Sequence, residues 1–167
     1  VAEVPYNASQ TIDDQSVGIS LWVNLDNLPS TLTHESYLIR EGVSGDPYET
    51  IYIVVGTDNK VYFHVKNTAG TDYQVESSGA LSADTWYHIV AVANGAAALK
   101  LYINGADVST SAETLAGSIY EGDSYWYLGN AYNSSGSGLD GFLDEVMVTD
   151  SALSAGDVTI LYNGGAG

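Results

Sequence analysis

The side chains in this chain best suited to chemistry are carboxylates and aromatic rings. Near its C-terminal end the stretch Leu139-Asp140-Gly141-Phe142-Leu143-Asp144-Glu145-Val146 gathers three carboxylates into a few positions. Calcium takes roughly six to eight oxygens, so one or two carboxylates need help from backbone carbonyls. An Asp-Gly turn that runs into a strand can supply both kinds, which makes Asp144, with Asp140, the candidate calcium ligands. The competing role needs no metal: an Asp can accept backbone N–H bonds where a loop closes. Asp144 and Glu145 are adjacent, and a regular strand points adjacent side chains to opposite faces. They are therefore not a glycosidase pair, which for retention of configuration needs its carboxyls about 5–5.5 Å apart. Other nucleophilic machinery is missing as well. There is no cysteine and no Gly-x-Ser-x-Gly elbow, and His34, His64 and His88 lack zinc-like spacing. His88, inside an apolar run, reads as a core histidine with its hydrogen bonds satisfied. The chain is expected to bind rather than catalyse.

The aromatic signal is the second candidate. The chain holds 13 tyrosines and 3 tryptophans, and sugars stack on such rings while acidic and amide side chains hold their hydroxyls. Tyr52, Tyr62 and His64 are expected together on the non-core face of one hairpin. Tyr48 lies in a loop-rich stretch from Glu41 to Glu49, and Tyr132 with Asn133 lies in a Gly- and Ser-rich loop. These six are the candidate ligand-binding residues. Against them stands the preference of β-strands for Tyr and Trp on packing grounds alone. Trp86 and Trp126 read as core on that ground.

The elements that must position these residues follow from alternation at period two. Val17, Ile19, Leu21, Val23 and Leu25 share one face of a strand that Asn27 and Pro29 end. Ile51, Ile53 and Val55 alternate, as do Val61, Phe63 and Val65, across the turn Gly56-Thr57-Asp58-Asn59-Lys60. Pairing Val55 with Val61 puts Tyr52 opposite His64 and Val54 opposite Tyr62; a one-residue slip would expose a whole apolar set. Trp86 to Ala93 is apolar on both faces, as a central strand should be. Leu99, Leu101 and Ile103 alternate in its partner, and Asn104-Gly105 signals a tight turn. Tyr125 to Leu128 and Phe142 to Val148 are further strands. The one helical candidate begins at Ser154, which with Asp157 forms a capping box ahead of Val158, Leu161 and Tyr162. Strands in quick succession joined by Gly, Asn and Asp turns predict an all-β sandwich or closed barrel.

Charge narrows the partners. With 21 acidic against 4 basic residues the net charge is −17, and no basic side chain follows Lys100. Such a surface repels phosphate, so neither nucleic acid nor an anionic membrane is the expected partner. It suits divalent cations, salty surroundings and plain solubility. No apolar run approaches the ~20 residues of a membrane-spanning helix. The expected organisation is one domain over residues 1–167, with 164–167 reading as the start of a linker.

The stretches Trp86-Tyr87-His88-Ile89-Val90-Ala91-Val92 and Leu99-Lys100-Leu101-Tyr102-Ile103-Asn104-Gly105 resemble a laminin-G-like domain. So do Leu128-Gly129-Asn130, Leu139 to Val146, and the close from Ala152-Leu153-Ser154 to Leu161-Tyr162-Asn163. Val4-Pro5 and Ile19-Ser20-Leu21-Trp22-Val23 fall where that family has its opening strands. The resemblance, to a member of the concanavalin A-like lectin and glucanase superfamily related to pentraxins, implies a two-sheet antiparallel jelly roll. It also implies calcium, with the Asp at the position of Asp144 a metal or hydrogen-bonding residue, and a glycan or protein ligand on rim loops or the concave sheet. The Glu-x-Asp-x-x-Glu signature of the superfamily's glucanases does not occur. The resulting expectation is a non-catalytic, calcium-stabilised carbohydrate-binding or adhesive module of a larger extracellular or cell-surface protein. A protein- or peptide-binding domain and a structural spacer are the alternatives.

Overall fold

In the computed structural model the described residues are 2–4, 15–42, 49–95, 97–120, 125–130 and 137–163. Tyr48, Tyr132, Asn133 and the segment 164–167 lie outside them. The strands are β1 (Ala2–Val4), β2 (Ser16–Leu25), β3 (Ser36–Gly42), β4 (Glu49–Val55), β5 (Lys60–Lys66), β6 (Asp72–Ala80), β7 (Trp86–Asn94), β8 (Lys100–Ile103), β9 (Ala106–Asp107), β10 (Ser109–Thr110), β11 (Tyr125–Leu128) and β12 (Gly141–Thr149). Two short helices, α1 (Pro29–Leu32) and α2 (Ala155–Tyr162), complete them. All strand pairs are antiparallel. Seven strands form one sheet in the order β1-β11-β3-β4-β5-β6-β10, and five form the other in the order β12-β2-β7-β8-β9. Together they make a two-sheet jelly-roll sandwich.

Alternation explains why the sheets face each other. The odd-numbered set from Val17 to Leu25 is buried, and so are Ile51, Ile53, Val55, Val61, Phe63 and Val65 from the opposite sheet. These side chains share one core with Ile89, Ala91 and Leu101. Burying one such side chain contributes about 1.5–3 kcal/mol, so a one-residue slip of β4 against β5 would forfeit several contributions at once. The register is the expected one: Val55 pairs with Val61, Tyr52 with His64 and Val54 with Tyr62. The Asn104-Gly105 turn is also present, both residues at positive φ as a tight hairpin between β8 and β9 requires.

Several elements were not legible, the short β9 and β10 among them. β3 and β6 lack long apolar alternation, and β6 buries the polar Ser77, whose hydroxyl accepts from Val61 N–H and donates to the Gly79 carbonyl. α1 is a single turn with proline at its start. The stretch from Glu41 to Glu49 is not loop throughout, since Glu41 and Gly42 close β3, Glu49 opens β4, and Gly42 pairs with Glu49.

β7 lies between β2 and β8 and is apolar on both faces because α2 covers its outer side. Val90 and Val92 pack there against Val158, with Leu153 and Ala152 beside them. The predicted capping box is formed: Ser154 Oγ accepts from Asp157 N–H, and the Asp157 carboxylate accepts from Ser154 N–H. His88 is buried, but beneath α2 rather than between the sheets, with Trp22 and Tyr162 against its ring. Only half of its hydrogen-bonding capacity is met: Nε2 is 2.9 Å from Ser20 Oγ, while Nδ1 has no partner among the described residues.

Burial lowers the pKa of His88 below its ordinary value of 6.5. The unfolded chain therefore takes up a proton that the native state refuses, and stability falls as pH drops below about 6.5. Asp157, held low by its bonds to Ser154, loses its contribution only when pH falls through the carboxylate range. Between pH 7 and 5 the melting temperature of the native chain should consequently fall more steeply than that of His88→Gln. Parallel slopes in thermal melts would show that the imidazole does not control docking of α2.

Candidate functional site

The site is built from the face of the seven-stranded sheet that points away from the core. Because odd-numbered residues of β4 and β5 face inward, even-numbered ones line this outer face. Register aligns Tyr127, Arg40, Tyr52, His64 and Gln74 in one row across β11, β3, β4, β5 and β6. A second row runs Tyr37, Val54, Tyr62, Glu76 and Thr110.

Tyr52 and His64 stack with ring centroids 4.4 Å apart and planes 9° from parallel. Tyr37 stands 5.6 Å from Tyr52, and Tyr62 stands 6.4 Å from His64. Rings stacked face to face on adjacent strands stand up from the sheet, so they present edges and polar tips outward. The polar groups beside them are acidic. His64 Nδ1 lies 3.0 Å from Asp72 Oδ2; an ionised carboxylate only accepts, so in this pair Nδ1 donates. Tyr62 donates its hydroxyl to Asp58 Oδ2 at 2.9 Å. Its pKa is pushed up to about 12, first by burial and then by Asp58 and Glu76, so the phenol stays protonated. Lys60 Nζ pairs with Glu76 at 3.4 Å.

The cation of the first row is set deep. Arg40 is buried, its guanidinium 5.2 Å from the Tyr127 ring centroid. The guanidinium lies over Gly42, where a Cβ would require Arg40 Nη2 to shift. The arrangement can hold hydroxyl-bearing ligands: carboxylates and imidazole accept, and phenols both donate and accept.

The sequence-predicted residues divide as follows. Tyr52, Tyr62 and His64 are brought together; Tyr48, Tyr132 and Asn133 lie outside the described residues. Tyr37, Arg40, Asp58 and Asp72 also belong to the patch and were missed. Asp58 is in a recognised turn, whereas Asp72 could be placed only by knowing that β6 pairs with β5.

Asp140 lies just ahead of β12 and Asp144 within it, and each is engaged locally. Asp140 closes the chain onto the end of β2: its carbonyl accepts from Asp26 N–H and its carboxylate from Asn27 Nδ2. Asp144 Oδ1 accepts from Glu145 N–H at 2.8 Å, at a bulge where Glu145 has φ 48°. That bulge corrects the expected opposite-face placement of Asp144 and Glu145, since alternation fails there and both are exposed. Among the described residues no group of three or more His, Cys, Asp or Glu could hold a metal.

Trp86 is a second correction. It is 43% exposed, because it pairs with Asn24 on the outer face of the five-stranded sheet beyond the reach of α2. Trp126 is core, as expected.

These two sheets and their topology define a jelly roll of the lectin type. Residues 2–159 match the Laminin G 3 family model of the concanavalin A-like lectin/glucanases superfamily, and the chain belongs to that family. A sequence comparison with curated proteins finds no match. Among solved structures, domain 4 of AbnA, a GH43 extracellular arabinanase from Geobacillus stearothermophilus in complex with arabinotriose, is similar in fold. Its TM-score is 0.71 at 21% identity, over 96% of this chain and 71% of that one. A heptameric SAP-like pentraxin from Limulus polyphemus follows at TM-score 0.63 and 13% identity, over 95% of this chain and 79% of that one. The ligand-binding domain of botulinum neurotoxin serotype D with N-acetylneuraminic acid gives 0.67 and 14%, over 95% of this chain and 39% of that one. No helix among the described residues is long and apolar enough to cross a membrane.

Proposed function

We propose that this chain is a non-catalytic carbohydrate-binding module of a larger extracellular protein, and that it holds glycans on the outer face of the seven-stranded sheet. The observation that carries the proposal is the Tyr52–His64 stack tied to Asp72, flanked by Tyr37 and by the Tyr62–Asp58 pair. Aromatic edges, one imidazole and fixed carboxylates in one patch suit the hydroxyls of a sugar. Similarity to domains solved with arabinotriose and N-acetylneuraminic acid supports a glycan over a peptide.

On a glycan array the chain should bind at least one glycan class, and Tyr52→Ala with His64→Ala should weaken binding tenfold or more without unfolding. Silence on the array, with capture of a protein from the native surface instead, would favour the interaction-domain reading. Incubation with β-glucans, alginate or agar should release no reducing ends, and sustained release would overturn the non-catalytic assignment.

Calcium stabilisation is a separate proposal. Asp144, with Asp140, would supply the carboxylate oxygens, and backbone carbonyls the rest. An ion that binds only the folded state stabilises by about 2.7 kcal/mol at a hundredfold excess over its Kd. A chelator should lower the melting temperature, and calcium should restore it better than sodium chloride at equal ionic strength. Asp140→Asn or Asp144→Asn should abolish that response. A melting curve indifferent to chelation, or one restored equally by sodium chloride, would leave only charge screening.

A further inference from the structure

The face of the five-stranded sheet that α2 leaves bare has features the other face lacks. Phe142 on β12, Asn24 on β2 and Trp86 on β7 lie in one register row, the amide between the two rings. Phe142 is 59% exposed and Trp86 43%. Neither ring stacks on another ring among the described residues. Neither is committed to a ring partner, in contrast to the mutually stacked Tyr52 and His64. Helix α2 stops short of this row: Val158 packs on Val90 and Val92, and Tyr162 reaches Trp22 and His88, one row away.

We propose that Trp86, Asn24 and Phe142 form a second saccharide-binding subsite, on the opposite side of the sandwich, for neutral polysaccharide chains. Strands two apart are separated by about 10 Å at ~4.8 Å each, room for two sugar rings of a chain running across the strands. The apolar faces of those sugars stack on the two aromatic rings. Between them Asn24 offers its amide, whose Oδ1 is buried and has no hydrogen-bond partner among the described residues. A small rotation of the Asn24 side chain lets a sugar hydroxyl donate to that oxygen and remove the cost of leaving it unpaired.

Charge selects the ligand. Asp144 and Glu145 on β12, Asp26 beyond the end of β2, and Asp84 ahead of β7 are all exposed beside this row. Arg40, Lys60 and Lys66 belong to strands of the other sheet. Lys100, the one cation of the five-stranded sheet, lies opposite Val92, six positions along β7 from Trp86, and is paired with Asp107 at 2.8 Å. Sialylated, uronate or sulfated chains would meet uncompensated carboxylates; neutral chains would not. Nor do two rings set among carboxylates resemble the charge-depleted, contiguous apolar centre of a protein interface.

The subsite is separable from the proposed site on the seven-stranded sheet, so the two can fail independently. The test is affinity electrophoresis of the whole chain in gels containing linear arabinan, xylan or mixed-linkage β-glucan, beside sedimentation of the same samples. At least one neutral polymer should retard the chain. The double variant Trp86→Ala, Phe142→Ala should lose tenfold or more in affinity at a near-native melting temperature, while Tyr52→Ala keeps a measurable share of the retardation. In Phe142→Ala, which keeps the indole, the polymer should still shield Trp86 from acrylamide quenching in part. Equal retardation of the double variant and the native chain would overturn the proposal, as would no retardation by any of the three polymers. If Tyr52→Ala alone abolished retardation, the seven-stranded face would be the sole site. If the double substitution dissociated a dimer and left retardation intact, the row would be a self-association surface instead.

Discussion

The structure depends on one constraint: the odd-numbered side chains of β2, β4 and β5 must all reach the same interior. Alternation then leaves no freedom on the other faces. Once Phe63 and Ile53 are buried opposite each other, Tyr52 and His64 have to stand together outside. Once Leu21 and Val23 are buried, Trp22 and Asn24 have to face outward on the second sheet. Core burial is non-directional, yet through the pleat it determines which polar and aromatic groups can cooperate on each surface. Both proposed ligand surfaces are by-products of the same packing.

The two outer faces are finished differently. On the five-stranded sheet α2 covers Val90 and Val92 and encloses His88, whose Nδ1 has no partner among the described residues and whose pKa burial lowers. On the seven-stranded sheet the rings lie against each other, and acidic side chains hold their polar tips. Acidity is thus used locally as well as globally. Asp58 and Asp72 orient Tyr62 and His64 by accepting from their polar tips.

What could be read from the sequence was what period two controls. The Val55–Val61 register, the central position of β7, the Asn104-Gly105 turn and the Ser154 capping box each have a local signature. Failures came where context overrides pattern. β6 buries Ser77 rather than a third apolar side chain, so its alternation is faint. Trp86 resembles its apolar neighbours in β7, and only the limited length of α2 exposes it. Asp144 and Glu145 should alternate, and the bulge that prevents it places Glu145 at a positive φ that no residue-type rule anticipates. Asp72 was missed because its role is conferred by His64 across a strand pair.

The central claim is that core burial sets the register and the register assembles the surface. Aromatic nuclear Overhauser contacts test it most directly, because ring protons report on neighbours in space whatever the ligand. With centroids 4.4 Å apart, Tyr52 and His64 should give strong ring-to-ring contacts, with Tyr37 reaching Tyr52 from the other side at 5.6 Å. Phe63 should show contacts to core aliphatic groups and none to the Tyr52 ring. Strong contacts between Tyr52 and Phe63, with none between Tyr52 and His64, would mean that β4 is displaced by one residue against β5 and would contradict the account.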